Sequence, residues 1–531
     1  KTKIKVDYQG KLVEQEVHKV QILDPAAGTV TFLAEVIKHI HKKFEGQQGI
    51  WSNYVENHLI PRLNGFEILM ASYAMAHLKL DILFKETGFK PTKDQRYRVY
   101  LTNSLEEYHP DTGTLFAKWL SSEANEANFI KRDTPVMVVI GNPPYSVSSS
   151  NKGHWIESLV SDYKKDLNER NIQPLSDDYI KFIRFGQHLI DKNGEGVLAF
   201  ITNNSFIDGL IHRKMRESLL KSFDKIYILD LHGNAKKKEK APDGSKDENV
   251  FDIMQGVSIN LFVKTGKKKK DELGELLFSE IFGNREVKYR TLHTISLSEI
   301  KWNLLDSMNE NLFFTIKNFE ELSSFNRGFS ITELFITYGM GITTGDDAQF
   351  VSFEKTDLIY KQQNQELIQT VNYRIFDERL LLYDPDKLER ARTKLMSHLF
   401  ENGNYSLISL RGVRNGLVSK FSIANKIVDK SFVSTLDNGY VFPLYLYSKN
   451  DTISSLLVDK EDIVSRTPNL NKDLVTKISV QLGLKFTSEK EFTDGTFAPI
   501  DILDYIYAVL HSPKYRSKYK EFLKIDFPRV P

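Results

Sequence analysis

The sequence predicts an α/β fold, a parallel sheet with helices on both faces, followed by a region of mixed α+β character. Three observations carry this expectation. Short apolar runs alternate with amphipathic segments through the first half of the chain. The first apolar run passes through a glycine-containing turn into a helix, as a mononucleotide-binding unit opens. After about residue 300 the alternation stops.

The elements follow in order. Val20–Asp24 is the first strand, Pro25–Thr29 the turn, and the stretch near Phe32–Phe44 the helix. Asn64–Glu67 closes a second strand before a helix over Leu69–Thr87. Arg98–Thr102 is a third strand and Pro135–Ile140 a fourth. A helix over Asp178–Lys192 leads into the fifth, Gly196–Thr202; Ile226–Asp230 and Val257–Val263 add two more. Ala235–Asn249 and Lys267–Asp271 are lysine-rich and polar, and read as loops. Beyond them, strand-like pieces such as Tyr440–Tyr447 mix with helices such as Asp386–Phe400, and Ile500–Leu523 is helical. We place the domain boundary between 285 and 310, giving domains of 1–295 and 296–531.

Composition narrows the function. A chain of 531 residues accommodates two or three domains. With 72 basic and 70 acidic residues the net charge is only +2, so any nucleic-acid surface must be a local patch. The absence of cysteine excludes disulfides, thiolate zinc sites and cysteine nucleophiles, and suits a reducing cytoplasm. No apolar run reaches the roughly 18 residues of a membrane span. No metal site is expected: His39 and His41 lack a supporting carboxylate pattern and read as a helix face. The first residue is Lys, so the sequence is expected to belong to a longer protein.

The string that carries chemistry is Gly141-Asn142-Pro143-Pro144-Tyr145, at the carboxyl end of an apolar strand. Ligands of open α/β sheets bind at that end. Two successive prolines stiffen the backbone and remove two amide donors, leaving carbonyls fixed in direction. The Asn142 side-chain oxygen and the Pro143 carbonyl can accept from one amino group, localising its lone pair for attack on a methyl sulfonium. Tyr145 offers a flat face to a base taken out of its stack. A proline-stiffened turn with an ordinary core tyrosine is the plain reading of the same residues.

The order of these motifs resembles the amino-methyltransferases of DNA, in the class where cofactor motifs come first and target recognition follows. The resemblance implies a Rossmann-like S-adenosylmethionine-dependent methyltransferase sheet in 1–295 and a C-terminal mixed α+β target-recognition domain in 296–531. Asp24-Pro25-Ala26-Ala27-Gly28-Thr29 resembles the cofactor motif, which implies contacts from Asp24, Pro25, Ala26, Gly28 and Thr29. Val30 stands where that family usually has a second glycine. Valine resists positive φ, so either the turn differs there or Val30 points away. Glu67 matches the acid that accepts the ribose hydroxyls, and Asn103 with Ser104 the position that contacts the cofactor's adenine. Asn142, Pro143 and Tyr145 are implied as catalytic, with Ser146 beside them. Phe251, in Glu248-Asn249-Val250-Phe251, is implied to press on the target base opposite Tyr145. Ile201–Phe206 would form the pocket wall.

A closer resemblance is to the methyltransferase and target-recognition region of single-polypeptide Type I-like (Type ISP) restriction-modification enzymes. It is carried by Asn142–Ser146 continuing to Ser149–Gly153, by Val250–Ile253 with Gln255–Val257, by Tyr373-Arg374 with Phe376-Asp377, and by Tyr505–Phe527. It implies double-stranded DNA as partner, adenine as target and a prokaryotic cytoplasm. It also implies a nuclease and a helicase-like motor, fused or associated, for which this sequence holds no motif. Only Lys1–Lys19 precede the first strand, so the family's early cofactor-contacting segment is expected to be missing. For DNA contacts we single out the glycine-rich Gly339–Gly345, the trio Arg411, Arg414 and Lys420, and the loop Lys236–Lys246. Two other readings stay open: a DNA-recognition module with a degenerate cofactor pocket, and a cytosine amino-methyltransferase.

Overall fold

The first strand of the expected nucleotide-binding unit lies inside a nine-stranded sheet. In this computed structural model the residues described are 1–8, 11–107, 118–167, 172–235, 239–269, 272–305, 312–316, 319–359, 367–400, 403–412, 420–447, 466–524 and 526–531. They fall into two compact units, Lys1–Ile316 and Lys317–Pro531. The break lies later than 295/296. A sheet strand at Asn303–Leu305 and the core residue Phe314 both belong to the first unit.

Unit 1 begins with an antiparallel hairpin, β1 (Thr2–Tyr8) and β2 (Lys11–Val17), which the sequence reading did not anticipate. The sheet strands are β3 (Gln21–Asp24), β4 (Leu63–Glu67), β5 (Val99–Leu101), β6 (Val136–Gly141), β7 (Gly196–Asn203), β8 (Lys225–Asp230), β9 (Val257–Lys264), β10 (Glu275–Glu280) and β11 (Asn303–Leu305). Their spatial order is β11-β10-β8-β9-β7-β6-β3-β4-β5. The helices are α1 (Thr31–Lys42), α2 (Gln48–Tyr54), α3 (Met70–Glu86), α4 (Lys118–Arg132), α5 (His154–Lys164), α6 (Asp178–Asn193), α7 (Ser205–Asp208), α8 (Arg213–Ser222) and α9 (Arg285–Thr294).

Side-chain alternation along the strands feeds two cores. Leu23, Phe66 and Tyr100 join residues of α5, α6 and α8 in one. Ile22, Leu63 and Val99 meet α1, α2 and α3 in the other. This is the period-2 signature of a sheet covered on both faces. The sheet is not wholly parallel. β9 runs antiparallel to both β7 and β8. Among the described residues no crossover helix separates β8 from β9, and a parallel neighbour needs one.

The chain winds from β3 through β4 to β5 on one side, then returns to place β6 on the other side of β3. The gap between β3 and β6 is therefore the topological switch point, whose carboxyl end is where such sheets bind ligands.

Unit 2 opens with a helix, Phe319–Asn326, followed by a short strand, β12 (Phe329–Ser330), paired with Arg529–Val530. β13 (Gly339–Met340), β14 (Val351–Ser352), β15 (Ile368–Arg374), β16 (Asp377–Leu382), β17 (Ser406–Leu410), β18 (Phe421–Ala424), β19 (Ile427–Val428) and β20 (Gly439–Pro443) form two four-stranded sheets. Their orders are β13-β20-β17-β18 and β14-β16-β15-β19. Helices Lys472–Leu482 and Pro499–His511 complete a mixed α+β unit. Asp386–Phe400, expected as one helix, holds only the short turns Thr393–Met396 and Ser397–Leu399. Among the described residues no helix is long and apolar enough to cross a membrane.

Candidate active site

Asp24 and Asn142 end neighbouring strands, β3 and β6, at the switch point. Their closeness depends on a glycine. A Cβ built on Gly141 would lie 2.6 Å from Asp24 Oδ1, so a side chain there would push the two strand ends apart. Asn142 itself is exposed, Pro143 is buried and Tyr145 is half-buried. The Tyr145 hydroxyl donates to Asn142 Oδ1 at 3.0 Å and lies 3.4 Å from the Ile201 carbonyl. Burial of Tyr145 raises its pKa, so the phenol keeps its proton.

The turn after β3 is built from its own amides and one glutamate. Ala26 N–H donates to Asp24 Oδ1 at 3.1 Å, and Ala27 N–H to the Phe66 carbonyl at 2.8 Å. Glu67 Oε2 accepts from Gly28 N–H at 2.8 Å and Oε1 from Leu69 N–H at 2.7 Å. Gly28 has φ +53° and a virtual Cβ there meets nothing within 4 Å, so its outer face is open. Thr29 is exposed.

Val30 corrects one expectation. It takes φ 56° and ψ 36°, the left-handed geometry expected of a glycine, and is fully buried among Leu33, Ala34 and Ile37. The turn keeps its shape, and the valine carries a strain of about 1–2 kcal/mol against what its side chain gains by packing.

Asp24 is the electrostatic anomaly. It is 1% exposed, and its Oδ2 has no hydrogen-bond partner. Burial, aided by the charge of Glu67, pushes its pKa up to about 7 despite the hydrogen bond from Ala26. An orphaned buried carboxylate oxygen beside an open glycine suits a cationic group placed next to it. The residues present thus fit a ligand with an ammonium or sulfonium centre.

On the next strand end, Ser104 Oγ donates to the Pro25 carbonyl, bracing the turn from below. Asn103 donates to Asn151 Oδ1 at 2.9 Å and to Glu106 at 3.2 Å, and accepts from Leu105 N–H at 3.0 Å. It therefore ties β5 to the loop that follows Tyr145. That loop is pinned to the start of α6. Ser146 N–H donates to Asp177 at 2.7 Å, and Ser149 Oγ and Asn151 Nδ2 donate to Asp178 at 2.6 and 2.9 Å. Lys181, 1% exposed, reaches Ser149 Oγ, the Asn151 carbonyl and Glu157.

Phe251 and Tyr145 both pack against the small cluster of Leu229, Leu231, Val250 and Val257. A buried pair positions Phe251: Lys288 meets Asp247 at 2.9 Å with both side chains at 0% exposure. Lys288 also donates to the Leu231 and Glu248 carbonyls. Asp247 in turn accepts from Gly233 and Gly283 amides at 2.7 and 2.8 Å, and Asn249 Oδ1 from Phe251 N–H at 2.8 Å. Beside it, His232 stacks on Phe282 at 3.9 Å and contacts Glu239 and Glu280. Burial disfavours a charge on His232, but the two glutamates and Asp230 outweigh it and push the pKa up to about 10. Within Ile201–Phe206, Asn204 donates to Asp230 at 2.9 Å.

The structure thus brings Asp24, Gly28, Glu67 and Asn142 to one end of the sheet and seats Tyr145 and Phe251 on one cluster. The sequence reading missed Gly141 as a spacer, though a glycine ending an apolar strand is a visible signal. Lys181, Lys288, Asp247 and His232 had no such signal, because buried charges resemble surface charges in a sequence.

The DNA-contact candidates fare unevenly. Lys420 is buried and donates to the Arg411, Leu523 and Asp526 carbonyls, so it is a structural post; Arg411 pairs with Asp526 at 2.9 Å. Gly339–Gly345 is strand-like rather than an open loop. Ile342 and Thr343 bridge to Asp429 and Arg390, and a Cβ on Gly341 would lie 2.6 Å from the Val428 carbonyl. Arg414 and Lys236, Lys237 and Lys238 lie outside the described residues. In the described portion of their loop, Lys240 bridges to Lys246.

Comparison with known proteins places the chain among restriction-modification methylases. Residues 64–236 match the Eco57I restriction-modification methylase model, and residues 353–531 the Type ISP C-terminal specificity domain. The chain is 22% identical over 233 residues to the Type II methyltransferase M.BstVI of Geobacillus stearothermophilus, covering 43% of this chain and 36% of that protein. Its fold is similar to the ATP-dependent Type ISP restriction-modification enzyme LlaBIII bound to DNA (TM-score 0.75, 24% identity, 98% of this chain and 36% of that one). It is also similar to a nuclease-deletion mutant of the Type ISP enzyme LlaGI in complex with a DNA substrate mimic (TM-score 0.70, 19% identity, 97% and 43%). A third likeness is to a DrdV–DNA complex (TM-score 0.72, 20% identity, 97% and 52%). The chain spans about a third to a half of the length of these relatives.

Proposed function

We propose that the chain, which joins an Eco57I-type restriction-modification methylase domain to a Type ISP C-terminal specificity domain, is a site-specific DNA adenine methyltransferase. In this reading it transfers a methyl group from S-adenosylmethionine to the 6-amino group of an adenine turned out of the helix. The first unit, Lys1–Ile316, does the chemistry and the second, Lys317–Pro531, reads the sequence. Double-stranded DNA is the partner, and a nuclease and helicase-like motor are fused to or associated with the chain.

One observation carries the reading. Asn142 stands exposed at the switch point, one strand away from a buried carboxylate with an orphaned oxygen. Asp24 would hold the cationic methionine end of the cofactor. Glu67 has two lone pairs left after binding Gly28 and Leu69, enough for a ribose diol. Pro25, Ala26, Gly28 and Thr29 would line the passage between them, with Asn103 and Ser104 below the adenine. When bound, the cofactor supplies an electrophilic methyl group on a sulfonium.

The chain's own residues prepare the amine. Asn142 Oδ1 and the Pro143 carbonyl accept its two hydrogens, drawing the nitrogen towards tetrahedral geometry. For that, the Tyr145 hydroxyl must give up Asn142 Oδ1, which it occupies at 3.0 Å. Tyr145 and Phe251 then enclose the base, while Ser146 holds the loop through its amide to Asp177. Once it has taken the methyl group the nitrogen is strongly acidic and sheds one proton to water, so catalysis rests on placement rather than on a strong acid or base.

The test is transfer of tritium from labelled cofactor into DNA, with the product nucleoside identified by mass spectrometry. We expect N6-methyladenine, and an Asn142→Ala variant that binds cofactor within about twofold yet transfers nothing measurable. Full activity in that variant removes the catalytic assignment; N4-methylcytosine as product removes the adenine assignment.

A further inference from the structure

The β15–β16 hairpin carries a residue that neither packing nor backbone preference explains. Arg374 and Asp377 are its last paired residues, leaving Ile375 and Phe376 as a two-residue loop. Phe376 has φ 63° and a relative exposure of 104%. A position with positive φ at the second place of such a turn ordinarily holds glycine or asparagine, and a bulky side chain there is an outlier. An exposed ring recovers none of that cost through burial.

The hairpin behind the ring is braced on several sides. The Arg374 guanidinium lies 3.9 Å from the Tyr373 ring centroid. Arg379 lies 4.1 Å from the same ring and 4.5 Å from that of Phe353. Asp377 accepts from Arg379 at 2.7 and 3.0 Å, Asp429 from Arg374 at 2.8 Å, and Asp347 from the Tyr373 hydroxyl at 2.7 Å. Ile375 N–H donates to the Phe432 carbonyl at 3.2 Å. Strain held in place by its surroundings points to use rather than accident.

We propose that Phe376 is a wedge that enters the base stack of duplex DNA. The proposal rests on the reading of this chain as a DNA methyltransferase, and on the position of the hairpin inside the span matching the specificity domain. A single ring on a two-residue tip is too small an area for a stable protein interface, which buries upwards of about 1,000 Å². It is the size needed to open a single base step, as apolar wedges do, or to fill the gap a displaced base leaves.

The test uses the full chain with Phe376→Gly and Phe376→Trp. Glycine relieves the left-handed strain and removes the ring; tryptophan keeps a stacking face. The probe is a duplex carrying the site that the wild type is found to methylate, or sheared genomic DNA if it methylates none. For Phe376→Gly we expect a melting temperature unchanged or a few degrees higher, with duplex affinity down about 10-fold or more, the scale of one lost base–aromatic stack. Phe376→Trp should bind within about threefold of the wild type. Unchanged affinity in Phe376→Gly overturns the wedge, and so does a melting temperature that falls along with affinity. An absence of methyl transfer by the wild type, with binding still dependent on Phe376, overturns the methyltransferase reading and leaves the wedge standing.

Discussion

Replacing Asp24 by asparagine should stabilise the empty protein at pH 8 and cripple its cofactor site. Asp24 is buried, with one oxygen unpartnered and Glu67 nearby, so its pKa stands at about 7 instead of 3.8. At 1.36 kcal/mol per pH unit, that difference corresponds to roughly 4 kcal/mol, an upper bound. The sign follows from linkage. Between 3.8 and about 7 the native state binds the proton that the unfolded chain has lost, so wild-type stability falls as pH rises through that window and levels off above it. Asparagine has no charge to bury, and the Asp24→Asn variant lacks the decline. Near pH 4 the two proteins should match, because protonated aspartate and asparagine both leave a donor orphaned. By pH 8 the variant should be ahead by about 2 kcal/mol after relaxation of the site. The assay is urea unfolding of the full chain without cofactor at pH 5, 6, 7 and 8, read on the transition of the first unit. Cofactor affinity measured alongside should rise through pH 7 in the wild type, as Asp24 ionises, and stay flat and weak in the variant. A stability difference that does not widen with pH, or a variant less stable at pH 8, refutes the argument.

Lys288→Ala should cost about 3–5 kcal/mol, because it leaves Asp247 charged, buried and unpaired beneath the Phe251 loop. Lys288→Met combined with Asp247→Asn should recover some of that loss, as a double-mutant cycle in urea will show. The His232 cluster should matter in alkali. Its stabilisation is complete below the ordinary histidine value of 6.5 and is lost as pH rises through about 10. The melting temperature should fall steadily between pH 7 and about 10 in the wild type and level off above it, and that decline should be missing in His232→Gln. In the same series, Tyr145→Phe should free Asn142 Oδ1 from its hydroxyl. We expect a lower KM for DNA with stacking retained, and a raised KM would show that the hydroxyl helps to hold the base.

Much of the first unit was legible because burial leaves a period. Ile22 and Leu23, or Val99 and Tyr100, alternate between two cores, and that alternation is printed in the sequence as apolar runs broken by helices. The antiparallel β9 was not legible, since its apolar run looks like that of a parallel strand and only the missing crossover helix betrays it. In unit 2 the signal weakened. Asp386–Phe400 has helical composition but breaks into short turns, with Arg392 held at φ 56° just before Thr393–Met396. Lys420 was misjudged for a related reason: a lysine that caps three carbonyls reads in sequence like one on a surface.

The costs at the β3 turn point the same way as its chemistry. Val30 is held left-handed, Asp24 is buried with an oxygen unused, and Gly141 gives up a side chain to let Asn142 stand beside them. Each of these lowers the stability of the empty fold, and each has a simple remedy: glycine at 30, asparagine at 24, a small side chain at 141 with the strands a little further apart. A turn serving only to join a strand to a helix would have no use for all three. Local rules broken together at the carboxyl end of a switch point are what a binding site requires when the missing interactions are to be completed by a ligand. Two of these costs also differ in kind. The Val30 strain is steric and persists whatever is bound, whereas the Asp24 penalty is electrostatic and vanishes when a cation, or below about pH 7 a proton, neutralises the carboxylate. In the proposed reading the Asp24 carboxylate, more than the backbone bend, would therefore be the feature of the turn that selects a cationic cofactor.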